Sequence, residues 1–202
     1  MGEGTARDVA TLRAAIERIE RAEGIGADGF TVGKPNQSSS PRSDPAGVAR
    51  AIVLRQLSQA PRTRSQLLAT LLRRGCDPQV ASAVLDRFTE VGLIDDAAYA
   101  ELYVRSKQAS RSLAKPALRR ELRTKGVDPQ TAADVLDAVS DADEEERARA
   151  LVRSRIARLH GLDRCVQVRR LAALLARKGY PSALAARVVF EELDRSAEHA
   201  RD

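Results

Sequence analysis

Two histidines, two cysteines and two groups of adjacent carboxylates are the side chains from which this chain would have to build a catalytic or metal centre. None has the spacing for it. His160 stands before Gly161 at what reads as a helix end, where a positive charge suits the dipole, and His199 lies in the tail; neither has an evident partner. Cys76 and Cys165 are far apart and in no metal-like spacing with either histidine, so they are expected to stay reduced, unlinked and inert. Asp95 and Asp96 are neighbours on the chain, but adjacent helical residues point in different directions, which suits a helix start better than a pair of catalytic carboxylates. The run Asp143 to Glu146 lacks the alternating ligands and loop glycine of a calcium site and reads as an acidic first turn. No glycine-rich phosphate loop is present. The expectation is a protein with no catalytic residue, no metal and no cofactor.

The chemistry that remains is charge, and it comes in blocks. From Arg105 to Lys125 the basic residues Arg105, Lys107, Arg111, Lys115, Arg119, Arg120, Arg123 and Lys125 face one acid, Glu121. From Gly126 to Glu146 every charged residue is acidic, and from Arg147 to Lys178 basic residues dominate again. At 100° per residue, Arg119, Arg120 and Arg123 lie opposite Leu118 and Leu122 and should face solvent or a partner. Arg73 and Arg74, and Arg169, Arg170, Arg177 and Lys178, fall around equivalent helices. A basic surface repeated along the molecule suits a polymeric anionic partner, as do the net charge of +6 and the isoelectric point near 9.8. Taken singly, each arginine also reads as ordinary solvated surface in an arginine-rich chain.

The elements that carry these charges must be helices. Aromatic residues are 3% of the 202 residues and there is no tryptophan, so the core has to be built from Leu, Val, Ile and Ala. Self-similarity then becomes visible. Leu67 to Phe88, Leu118 to Val139 and Leu171 to Glu192 align without gaps when Gly75, Gly126 and Gly179 are superposed, at offsets of 51 and 53 residues. Apolar character recurs at Leu67/Leu118/Leu171, Leu71/Leu122/Leu175, Cys76/Val127/Tyr180, Val84/Val135/Val188 and Leu85/Leu136/Val189. In the first two copies a glycine closes one helix in the left-handed conformation; Asp77 or Asp128 then caps the next, with Pro78 or Pro129 at its first position. The third copy loses the aspartate, which leaves Ser182 as the candidate cap.

A further helix precedes each pair, opened by Asp44-Pro45, by Asp95-Asp96 and by Asp143 to Glu146, and Thr63 with Gln66 forms a candidate capping box. The expected fold is all-α: an elongated tandem array of three helix-turn-helix-like repeats of three helices, over residues 45–94, 95–142 and 143–202. Residues 1–44 are expected to be a flexible extension. Val9, Leu12, Ile16 and Ile19 suggest a short helix there, followed by a Gly/Ser/Pro-rich linker over 24–44. No apolar run approaches the roughly 18 residues of a membrane helix, and the first twenty residues are too charged for a secretory signal, so a cytoplasmic protein is expected.

The stretch VGLIDDAAYAELYVRSKQ, through Asp95, Asp96, Tyr99, Ala100, Tyr103, Val104, Arg105 and Lys107, resembles the most characteristic segment of the RecX family of regulators of the RecA recombinase. LRRELRTKGVD resembles its second-repeat signature, through Leu118, Glu121, Leu122, Lys125 and Gly126. Where the family often has Gly-Pro, this chain has Ala114-Lys115-Pro116. The resemblance, which runs over about residues 46–193, implies a bacterial, high-GC source. It also implies a monomer that binds the groove of the RecA filament on single-stranded DNA. Expected consequences are blocked filament extension and reduced ATP hydrolysis, strand exchange and coprotease activity, within DNA repair and the SOS response. On this reading the basic surface of Arg73, Arg74, Arg105, Lys115, Arg119, Arg120, Arg123, Lys125, Arg169, Arg170, Arg177 and Lys178 meets RecA or DNA, single- or double-stranded.

The alternative is a basic helix-turn-helix protein that binds DNA directly. Against it, the second helices of the pairs, ASAVLDRF and AADVLDAV, are acidic or neutral where a groove-reading helix carries Arg, Asn or Gln.

Overall fold

In the computed structural model the described residues are 44–199, the side chains of 198 and 199 excepted. The extension and its candidate helix therefore lie outside the described residues, as does the side chain of His199. The described chain is helical and divides into two compact units, one ending at Asp95 and one from Asp96 onward. The first holds α1 (Pro45–Leu57), α2 (Arg64–Arg73) and α3 (Pro78–Glu90). The second holds α4 (Asp96–Arg111), α5 (Lys115–Thr124), α6 (Pro129–Asp137), α7 (Asp141–Ile156), α8 (Arg164–Lys178) and α9 (Ser182–His199).

The helices begin and end where local chemistry dictates. The Asp77 carboxylate accepts from the backbone N–H groups of Gln79 and Val80 at 2.8 and 3.1 Å, and Asp128 does the same for Gln130 and Thr131. The capping box forms: the N–H of Gln66 donates to Thr63 Oγ1 at 3.2 Å, and the N–H of Thr63 to Gln66 Oε1 at 3.3 Å. Gly75, Gly126 and Gly179 all have φ between +78° and +88°, and after each the next N–H bonds back to the same leucine, Leu71, Leu122 or Leu175, at 3.1 Å. Three copies of one Schellman closure result.

Two helix starts differ from expectation. Ser182 is already inside α9, and the carbonyl of Pro181 accepts the first intrahelical bond, from Ala185 at 2.9 Å. Pro181 thus holds the cap position, because its fixed φ and missing N–H cost nothing at a helix entrance. The helix expected at Asp143 starts at Asp141, since the Ser140 hydroxyl accepts from the N–H of Asp143 and sets the boundary two residues earlier.

Each triplet packs on itself: α1 on α2 and α3, α4 on α5 and α6, α7 on α8 and α9. The aligned apolar positions form three cores. Leu67, Leu118 and Leu171 are buried, as are Leu71, Leu122 and Leu175, and Leu85, Leu136 and Val189. Cys76 is only half-buried where Val127 and Tyr180 are buried, and Cys165 is exposed; both are free thiols. A further repeat, not noticed in the sequence, runs through the first helices. Ala49 and Val53, Ala100 and Val104, and Ala148 and Val152 are all buried, each pair four residues apart. The small alanine lets the other two helices approach the backbone closely, and the valine fills the space one turn on.

Within the second unit the two triplets interlock through residues 111–117. Ala114 is fully buried in the core built by α7, α8 and α9. Its N–H donates to the carbonyl of Lys178 at 3.0 Å, and Tyr180 Oη donates to the carbonyl of Ser112 at 3.1 Å. Burial pushes the Tyr180 phenol up to about 12. The N–H of Lys115, an orphan donor at the start of α5, is taken by the buried Glu144 carboxylate of α7 at 2.6 Å. The departing Ala114-Lys115-Pro116 segment thereby gains a cap from outside its own sequence.

Candidate functional site

Six of the eight acids between residues 126 and 146 bond within the fold. Asp128 caps α6, Asp134 accepts from Gln130 at 2.8 Å, Asp141 pairs with Lys115 at 2.5 Å, and Glu144 caps α5. Glu145 receives both Arg187 guanidinium nitrogens at 2.7 Å and also pairs with Arg149, while Arg149 and Arg153 converge on the buried Glu192. Hydrogen bonds from Arg187 and then Arg149 hold the Glu145 carboxyl at about 2, well below its ordinary 4.5. Burial raises Glu192, but the bonds from Arg153 and Arg149 outweigh it and hold that carboxyl low as well.

This network gives a pH expectation. A carboxyl depressed in the folded state contributes stability that is present above its unfolded value near 4.5 and is lost as pH falls towards about 2. Glu145→Gln should therefore melt below the unmodified chain at pH 7, with the difference closing between pH 4.5 and 2. Thermal unfolding by circular dichroism across that range checks it, and a constant difference would contradict the assignment.

The basic residues singled out from sequence separate into two groups. Lys115 is engaged by Asp141, and Lys178 Nζ donates to the carbonyl of Arg111 at 2.8 Å, so both charges sit in the interlock of the second unit. Arg119, Arg120 and Arg123 are exposed on α5, opposite the fully buried Leu118 and Leu122. Arg105 is exposed on α4, and Arg169, Arg170 and Arg177 are exposed on α8, whose inner face is Leu171 and Leu175. None of these seven arginines has a carboxylate partner among the described residues. In the first unit Arg73 and Arg74 are exposed at the end of α2, with Arg73 donating to Thr70 Oγ1 at 3.2 Å.

Three of the residues meet in one place. Arg120 and Lys125 of the α5 segment and Arg177 of α8 line a groove of about 420 Å³, together with Tyr103, Glu121 and Thr124. Tyr103 Oη donates to Glu121 at 2.6 Å; burial, and then that carboxylate, push the phenol up to about 12. Tyr99 stacks on the Tyr103 ring at 5.9 Å and Lys107 Nζ stands 5.1 Å from its centroid. The sequence alone did not single out Tyr103 and Glu121 as neighbours of the basic face; their separation of 18 residues is bridged only by the packing of α4 against α5.

Among the described residues no His, Cys, Asp and Glu side chains gather as a metal site, and no helix is long and apolar enough to cross a membrane. On α3 and α6, the helices that a groove-reading mode would use, Asp86 pairs with Arg64, while Asp134 is bonded to Gln130 and Asp137 is exposed.

The chain matches two family models, RecX first three-helix domain over residues 49–88 and RecX second three-helix domain over residues 95–136. Among curated relatives it is 51% identical to the regulatory protein RecX of Thermobifida fusca, over 80% of this chain and 87% of that one. It is 44% identical to the Streptomyces coelicolor protein of the same name, over 84% and 90%, and 41% identical to that of Mycobacterium tuberculosis, over 85% and 99%. Of solved structures, RecX from Lactobacillus salivarius matches with a TM-score of 0.70 at 22% identity, over 74% of this chain and 97% of that one. A second RecX crystal structure matches with a TM-score of 0.66 at 20% identity, over 87% and 84%. With the triple helical repeat, the characteristic segment around Asp95 to Lys107 and this degree of identity over nearly whole relatives, the chain belongs to the RecX family of regulatory proteins.

Proposed function

We propose that the chain regulates the RecA recombinase by binding the RecA filament on single-stranded DNA, and that its effect is inhibitory. Filament extension, ATP hydrolysis, strand exchange and coprotease activity all fall as a consequence. The observation that carries this is the division of charge. The fold holds most acids of the block between residues 126 and 146 in caps and internal bonds, and leaves Arg105, Arg119, Arg120, Arg123, Arg169, Arg170 and Arg177 exposed without carboxylates. Unpaired guanidinium groups on the exposed faces of α4, α5 and α8 are suited to a repeating anionic partner. Arg73 and Arg74 supply the corresponding charges of the first unit. The three segments 45–94, 95–142 and 143–202 are the contacting modules of a monomer that acts in the cytoplasm, with no cofactor and no catalysis of its own.

The test is RecA-catalysed ATP hydrolysis on single-stranded DNA with increasing amounts of the chain. A dose-dependent fall in rate, relieved by salt, is expected. A rate unchanged at saturating amounts would refute the proposal.

A further inference from the structure

We propose that the segment Asp8–Glu20 docks through Val9, Leu12, Ile16 and Ile19 on the outer face of α2 in the first unit. The inference is independent of the proposed function and gives a binding place to part of residues 1–43, which lie outside the described residues. It starts from a difference between the three repeats. Superposed on their turn glycines, Leu68, Ala69 and Leu72 of α2 take the positions of Arg119, Arg120 and Arg123 on α5 and of Ala172, Ala173 and Ala176 on α8. The same outward positions are therefore basic in the second repeat, alanine in the third and large aliphatic only in the first. Leu72 is 42% exposed, Ala69 is exposed and Leu68 is half-buried. Arg64, on the same side of α2 four residues before Leu68, reaches Ser82 and Asp86 of α3 at 3.2 and 2.6 Å, so Leu68 and Leu72 continue along the rim of the α2–α3 crevice.

Three features select the occupant. The face needs aliphatic side chains at helical spacing, and Val9, Leu12, Ile16 and Ile19 form such a stripe, which a single helix cannot bury on itself. The rim also matches. Neither α1 nor α2 contains an acidic residue, and Arg62 and Arg74, twelve residues apart around the two ends of α2, are exposed. Asp8 and Glu20 are also twelve residues apart, and at 100° per residue they border the stripe at its two ends. Of the arginines around the stripe only Arg13 lies near it, while Arg7, Arg18 and Arg21 fall on the opposite side. Each end of the segment thus brings a carboxylate to an arginine, in either direction of docking. Reach is the third feature. The chain enters the first unit at Asp44, and the 24 residues between Ile19 and Asp44, rich in Gly, Ser and Pro, span about 27 Å against the roughly 15 Å length of α2. Such a tether holds the segment at an effective concentration on the order of millimolar, so a contact too weak to form between separate molecules forms within one.

The experiment uses the full chain with C76S and C165S, a nitroxide attached through R18C, and leucine methyl signals recorded by nuclear magnetic resonance. Position 18 faces away from the stripe, so the label reports proximity without entering the contact. The Leu68 and Leu72 methyl signals should lose roughly half their intensity or more, and the double substitution L12E/I16E should restore them. L72E, at an exposed position of α2, should restore the Leu68 signal in the same way. None of these three positions belongs to the core of the first unit, so the melting curve should stay in place while the broadening goes. Absence of broadening in the chain with an intact stripe, or broadening that persists in L12E/I16E, would overturn the inference. Broadening that arises only between molecules, read in a mixture of spin-labelled chain with isotopically labelled chain free of nitroxide, would overturn it too, because the occupant is then a second copy.

Discussion

Replacing Arg119, Arg120 and Arg123 together with glutamate should abolish inhibition of RecA ATP hydrolysis by a chain that still folds. All three are exposed, with Leu118 and Leu122 carrying the packing of α5 on its other side. Exposed substitutions of this kind shift stability by about 0.5 kcal/mol each, and a carboxylate at position 123, in the last turn, adds at most about 1 kcal/mol against the helix dipole. Binding, in contrast, meets a reversal of six units of charge on one face. Leu122→Ala provides the opposite dissociation: it opens a cavity at a fully buried position, costs about 2–5 kcal/mol and loses function through unfolding. The measurements are ATP hydrolysis and a melting curve for each variant. Full inhibition by a folded triple-glutamate variant would show that this face is solvated surface only.

Gly179→Ala should destabilise the second unit by about 2–5 kcal/mol, by adding left-handed strain to overpacking. A Cβ at position 179 would stand 2.6 Å from the Ala117 Cβ and 2.9 Å from the Ala117 backbone nitrogen, and φ there is +88°. Backbone cannot swing aside as a side chain can, so the turn and the start of α5 must separate, taking the bond from Ala114 to Lys178 with them. Gly75 occupies the same turn in the first unit at φ +79° with nothing near its would-be Cβ, so Gly75→Ala carries only the left-handed cost of about 1–2 kcal/mol. The two are separable by spectroscopy. All three tyrosines, Tyr99, Tyr103 and Tyr180, lie in the second unit and there is no tryptophan, so tyrosine fluorescence reports that unit alone. Gly179→Ala should move the urea midpoint seen by tyrosine fluorescence, and Gly75→Ala only the part of the circular dichroism transition that fluorescence does not follow. Equal small shifts for both would show that the close approach at Ala117 does not constrain the turn.

Much of this molecule is written in short-range chemistry. The Leu-x-x-x-Leu spacing before each glycine, the left-handed turn and, in the first two copies, the Asp-Pro helix start all act within about two helical turns, where periodicity and capping decide the outcome. They were legible as three copies of one motif, and the arginines opposite Leu118 and Leu122 followed from the same periodicity. The alanine–valine pairs of α1, α4 and α7 obey the same geometry. They escaped notice because a gap-free alignment anchored on the glycines cannot hold them: the last offset is 48 residues there and 53 in the second and third helices.

What the tertiary structure alone decided is which charges are free. Lys115 and Arg120 look alike in sequence, both basic and both on α5, yet one is neutralised by Asp141 from a helix 26 residues away and the other opens onto a groove. Glu144 reads as one acid in a run of four, and only packing shows it buried as the cap of a different helix. The same holds for Gly179, whose turn is local but whose missing Cβ is required by Ala117, more than sixty residues earlier. Helical periodicity determines which face a side chain occupies, because that depends on a fixed rotation per residue. Which neighbour meets that face depends on how the helices are brought together, and no spacing along the chain encodes that distance.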